Sequence, residues 1–219
     1  MPSRVPIMSL LAGCLASSVV LTGCADSWDR TREAPAPIGT PGAGFIPTPA
    51  PSPEATILPA AGSWAGVHPA VGYRVVLLTA GDDPATRALV AAVQAWAATE
   101  HVDLRMVHAD DDHVGGITQA MDAGGDLIVV AGNDLIDPLA LVSANHLDQT
   151  FLVVGAELAE PTENVTAVDW NGASFRGAGL GMSSTYDAAS FTPERCAAAI
   201  RAGAAAVLSD LTGVVLWID

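Results

Sequence analysis

Between Tyr73 and Ile218 the chain alternates short stretches of unbroken apolar residues with longer stretches in which apolar residues recur every three or four positions. This alternation limits the fold more than any other feature. Asp126-Leu127-Ile128-Val129-Val130-Ala131 is the clearest short stretch. A strand with no polar face has to be covered on both sides, which is the situation of a parallel sheet between two layers of helices. Parallel neighbours also need a long crossover connection, and a helix is the usual one.

The same reading extends along the chain. Tyr73 to Leu78 is a first strand, followed by Gly81-Asp82-Asp83-Pro84, which supplies a loop, a helix cap and a proline suited to the first helical turn. Ala85, Ala88, Leu89, Ala92, Val93 and Trp96 then mark one apolar helical face as far as about Glu100. Strands are predicted at Asp103–Val107, Asp126–Ala131, Thr150–Val154, Val165–Asp169 and Gly213–Ile218, with helices at Val114–Ala123, Asp137–Asn145, Ala173–Met182 and Thr192–Leu208. The expected architecture is α/β: a single doubly wound, mostly parallel sheet of about six strands with helices on both faces, formed by residues 69–219.

The first 68 residues read differently. Behind Arg4, an apolar stretch from Ile7 ends in Leu21-Thr22-Gly23-Cys24. One basic residue, a short apolar segment and small residues before a cysteine have the form of a secretory signal. The quartet resembles the bacterial lipobox, which implies removal of residues 1–23, a lipid on Cys24 and a place on the extracytoplasmic face of the cell membrane. Residues 24–68 are rich in Pro and Ala, with Pro47-Thr48-Pro49-Ala50-Pro51-Ser52-Pro53 at their centre. Such a sequence favours extended polyproline II and reads as a disordered tether, reaching on the order of 100 Å.

Composition then removes whole classes of function. The chain beyond residue 23 has eight arginines, no lysine and 24 acids. That balance opposes nucleic-acid binding, which needs a basic footprint. Without lysine there is no Schiff base and no P-loop phosphate lysine. Cys14 leaves with the signal and Cys24 takes the lipid, so Cys196 stands alone, in a helical context that reads as buried packing. His108 to His113 hold two imidazoles and three carboxylates, yet adjacent loop residues seldom converge on one ion. No metal, cofactor or catalytic residue is expected.

Several segments, in order, resemble the basic membrane protein (BMP) family of substrate-binding lipoproteins, relatives of type I periplasmic binding proteins. They are Thr79-Ala80-Gly81-Asp82-Asp83, Ala123 to Gly132, and Asn164 to Asp169 followed by Ser174-Phe175-Arg176-Gly177-Ala178-Gly179. The likeness covers the first lobe of such a protein, with Tyr186 to Phe191 inserted. It implies solute binding for an ABC importer, with a permease, a second protein or a second copy completing the missing lobe. Where the family carries an aromatic-Asn pair against its ligand, this chain has Asp83-Pro84-Ala85-Thr86.

In an open parallel α/β sheet, ligands bind beyond the carboxyl ends of the strands, at the reversal of strand order. That position selects Gly81, Asp82 and Asp83 after the first strand and Asn133 and Asp134 after the third as candidate ligand-binding residues. Gly155 and Glu157 follow the fourth strand, and Trp170 ends the fifth. The expected function is binding or sensing of a nucleoside- or sugar-like small molecule by a non-enzymatic lipoprotein. The alternative is a protein-interaction module that has lost solute binding.

Overall fold

The computed structural model describes residue 28 and residues 32–109, 111–174 and 185–219. The signal segment, Cys24, Asp110 and most of the helix expected at 173–182 lie outside the described residues.

Seven parallel strands form the main sheet. In chain order they are β2 (Thr56–Ile57), β4 (Arg74–Thr79), β5 (Asp103–His108), β6 (Leu127–Ala131), β7 (Phe151–Val154), β8 (Val165–Asp169) and β9 (Val215–Trp217), and across the sheet they run β2-β9-β8-β7-β6-β4-β5. The first two strands of the repeating unit pair with each other, and the chain then crosses β4 to lay down β6 on its other side. This reversal makes the sheet doubly wound. Every residue of β4, β6, β7 and β8 is buried, which accounts for the unbroken apolar sequence of β6 and β7.

The connecting helices divide between the faces. Helices α1 (Pro84–Glu100) and α4 (Pro193–Leu208) pack together over one face, while α2 (His113–Asp122) and α3 (Ile136–Ser143) cover the other. The caps explain the helix starts. Asp83 accepts from the backbone N–H groups of Ala85 and Thr86 ahead of α1, and Thr192 accepts from Arg195 N–H ahead of α4. Both helices have proline in the first turn. Small residues let α4 lie close to the sheet: a Cβ on Gly203 would sit 2.5 Å from Leu152 Cδ1 and 2.8 Å from Val168 Cγ2. Between α3 and β7 the buried Asn164 amide donates to the carbonyls of Ser143, His146 and Gln149, fixing that loop from within.

The proline-rich segment departs from the tether reading. Over its described part it is folded onto the domain: β2 extends the sheet beside β9, and β1 (Ile38–Gly39) pairs antiparallel with β3 (Val67–His68). Phe45 is 1% exposed and joins Ile57 and Val67 in the core beneath α1 and α4. The physical reason is edge pairing with anchor residues. A proline-flanked strand loses donors, so it suits a sheet edge, and the aromatic and aliphatic side chains scattered among the prolines supply apolar burial.

Candidate functional site

The reversal of strand order falls between β4 and β6, and a cleft opens beyond their carboxyl ends and that of β7. It is lined by Asp83 of the β4–α1 turn with Thr86 and Leu89 of α1, Gly132, Asn133 and Ile136 beyond β6, and Gly155, Ala156 and Ser174 beyond β7; Tyr186 and Phe191 close the remaining side. Two glycines bring these loops together. Gly132 has φ +134°, and a Cβ there would lie 2.7 Å from the Ala80 carbonyl oxygen. Gly155 has φ +75°, and a Cβ would meet Phe191 Cε1 at 2.5 Å and Trp170 Cη2 at 3.0 Å. Larger residues at either place clash with fixed neighbours in a backbone conformation they disfavour.

The residues selected from sequence divide between two depressions. Asp83 and Asn133 line the cleft, whereas Gly81 and Asp134 face a wider, open depression with His108, Asp111 and His113. Asp82 lines neither of these two depressions; its carbonyl accepts from the Arg87 guanidinium. Asp83 is mainly a helix cap. Burial pushes its carboxyl up, but hydrogen bonds from the Thr86 hydroxyl and from the Thr86 and Ala85 backbone outweigh burial and leave it below its ordinary value. His108 Nδ1 lies 3.0 Å from Thr79 Oγ1. Among the described residues, no three His, Cys, Asp or Glu side chains gather around a metal-sized point.

Phe191 and Tyr186 form an aromatic wall that was legible only as an insertion. The Trp170 and Phe191 rings meet edge to face at 5.0 Å, and Tyr186 lies 6.0 Å from Phe191. Trp170 is fully buried and donates from Nε1 to Ser190 Oγ, so it supports the wall and offers no face to a ligand. Tyr186 is 51% exposed. It also lines the cleft, so the ring sits near the mouth; partial burial and the carboxylates of Asp83 and Asp187 hold its hydroxyl above the usual range. The enclosed space is about 30 Å³, room for a water molecule.

Beyond β7 and β8 lie two buried acids, Glu157 at 2% exposure and Asp169 at 0%. Asp169 Oδ1 accepts from Trp170 N–H, but among the described residues Asp169 Oδ2 and Glu157 Oε1 have no hydrogen-bond partner. Burial, with the Asp169 charge adding to it, pushes the Glu157 carboxyl up to about 8. Burial also raises Asp169 to about 7 against the opposing Trp170 hydrogen bond. The pair therefore carries a proton at neutral pH. Cys196 is buried in α4, and burial pushes its thiol up to about 11, far from a reactive thiolate.

No protein-family model matches the chain, and no curated protein matches it. Among solved structures it is similar to a fragment named as a lipoprotein from Peptoclostridium difficile 630, at 19% identity and TM-score 0.40 over 44% of this chain and 84% of that one. It is similar to an ABC transporter solute-binding protein from Aeropyrum pernix K1, at 19% identity and TM-score 0.37 over 45% of this chain and 29% of that one. A solute-binding protein from Conexibacter woesei DSM 14684 gives 21% identity and TM-score 0.39 over 46% and 36%. The chain thus spans about a third of each of these two solute-binding proteins. At such scores the likenesses assign no family, and the α/β architecture rests on the chain's own strand order.

Proposed function

We propose that this chain is a lipid-anchored, extracytoplasmic binding component that takes up a small polar solute of nucleoside or sugar type and works without catalysis. The observation that carries this reading is the cleft at the strand-order reversal, where polar groups of Asp83, Asn133 and Ser174 converge beside the apolar wall of Leu89, Ile136 and Phe191. An amide, a carboxylate and a hydroxyl suit sugar hydroxyls and ring nitrogens. The anchor is Cys24, and the class of partner is a membrane permease of the kind served by BMP-type binding proteins.

One observation favours a second reading. Small-molecule pockets usually enclose ~300 Å³ or more, whereas here Tyr186 and Phe191 leave about 30 Å³. A nucleoside or sugar needs more room than the cleft as built provides. A protein-interaction module would need no such room.

Thermal unfolding followed by tryptophan fluorescence, with a panel of nucleosides and sugars, separates the two. A ligand at 100 times its Kd stabilises by ~2.7 kcal/mol, a shift of several degrees. Solute binding is supported if one compound class raises the midpoint and Asn133→Ala removes the shift. An unmoved midpoint throughout the panel rejects it in favour of protein partners.

A further inference from the structure

Trp28 and Arg32 stand only four and eight residues beyond Cys24 in sequence, and both are fastened to the folded domain. Trp28 is buried; its indole Nε1 donates to Asp103 Oδ2 at 2.6 Å, and its ring lies 4.2 Å from the Arg105 guanidinium and 5.5 Å from that of Arg74. Arg32 donates to Asp126 Oδ2 and to the Gly72 carbonyl, each at 2.7 Å. Asp126 Oδ2 also accepts from Arg74 N–H at 2.8 Å. All these partners lie at one place in the fold. Arg74 and Asp103 are the first residues of β4 and β5, Asp126 directly precedes β6, and Gly72 directly precedes Tyr73 and β4. The clamp therefore grips the amino-terminal end of the sheet, opposite the cleft.

We infer that the amino-terminal end of the sheet is the membrane-facing surface of this protein and that the cleft opens away from the bilayer. The inference rests on the lipid anchor at Cys24. Four residues span at most ~14 Å, so a lipid on Cys24 brings the Trp28 clamp to the headgroups. The six residues of β4 then carry the cleft ~20 Å further out.

The test uses the full lipidated chain in vesicles with quencher-bearing headgroups. Lipid occupies the Cys24 thiol and Cys196 is buried, so an introduced cysteine is the reactive one. One fluorophore is placed by Val71→Cys, at a 76% exposed position beside Gly72, and another by Asp111→Cys, at the cleft end. The inference expects strong quenching at 71 and none at 111. Trp28→Phe with Arg32→Gln, which keeps most of the bulk but removes the indole donor and the ion pair, should weaken quenching at 71. Protein that fails to float with the vesicles overturns the anchor and the inference together. Flotation with equal quenching at the two positions overturns the orientation alone, and an unchanged contrast in the double variant overturns the clamp as its cause.

Discussion

Replacing Asp169 by asparagine should stabilise the protein at alkaline pH and flatten its dependence on pH. Asparagine keeps the oxygen that accepts from Trp170 N–H and removes a charge from a fully buried position. Raising this carboxyl from an ordinary 3.8 to about 7 corresponds to ~4 kcal/mol once pH exceeds both values. The sign follows from proton counting. Between about pH 4 and pH 7 the folded state holds a proton that the unfolded chain has released, so stability is full below the unfolded value and falls as pH rises through the folded one. Glu157, raised to about 8, extends the decline towards pH 8. Partial solvation of the opened site reduces the effect, and a loss of about 2–4 kcal/mol from pH 5 to pH 8 is expected. Urea denaturation read by tryptophan fluorescence across pH 5 to 9 measures it. A wild type that gains stability with pH, or an Asp169→Asn variant with an undiminished slope, refutes the assignment of Asp169 as a carboxyl whose burial holds it protonated.

Two further substitutions probe the walls of the cleft. Gly155→Ala places a Cβ 2.5 Å from Phe191 Cε1 at φ +75°, and a loss of about 1–3 kcal/mol in chemical denaturation is expected. Asp83→Ala removes the side-chain acceptor of both the Ala85 and Thr86 N–H groups; denaturation should show a loss of about 1 kcal/mol, and circular dichroism should show α1 otherwise retained.

Six of the seven strands of the main sheet and the helices α1 to α4 were legible because each was written in one local signal. The apolar stretch at 127–131 became β6, and the proline after Asp83 opened α1. The segment at 32–68 was not legible, since its composition describes a solvated chain while its structure depends on single anchors. Phe45, Ile57 and Val67 are far apart in sequence and find their place only against a sheet that forms after them. The two-residue β2 is too short for any periodicity, and its partner β9 lies about 160 residues downstream. The site was half legible for a related reason. Position beyond β4 and β6 could be inferred from the order of strands, and in the structure Asp83 and Asn133 line the cleft there. Which depression each loop residue faces could not be inferred, and Gly81 and Asp134 line the neighbouring one. Tyr186 and Phe191 belong to a segment with no regular pattern, whose aromatic content was the available hint.

The two ends of the sheet are built differently, and the difference follows from parallel topology. Because the strands of the main sheet run the same way, the turns into the strands gather at one end and the turns into the helices at the other. The amino-terminal end can therefore be tied down by Trp28 and Arg32 without strain on the loops that shape the cleft. At the carboxyl end, helix caps, positive-φ glycines and the aromatic wall meet within a few residues of each strand. The buried acids belong to this second end. Asp169 closes β8 and Trp170 follows it, its ring supporting Phe191, so a buried acid and the aromatic wall both belong to the carboxyl end.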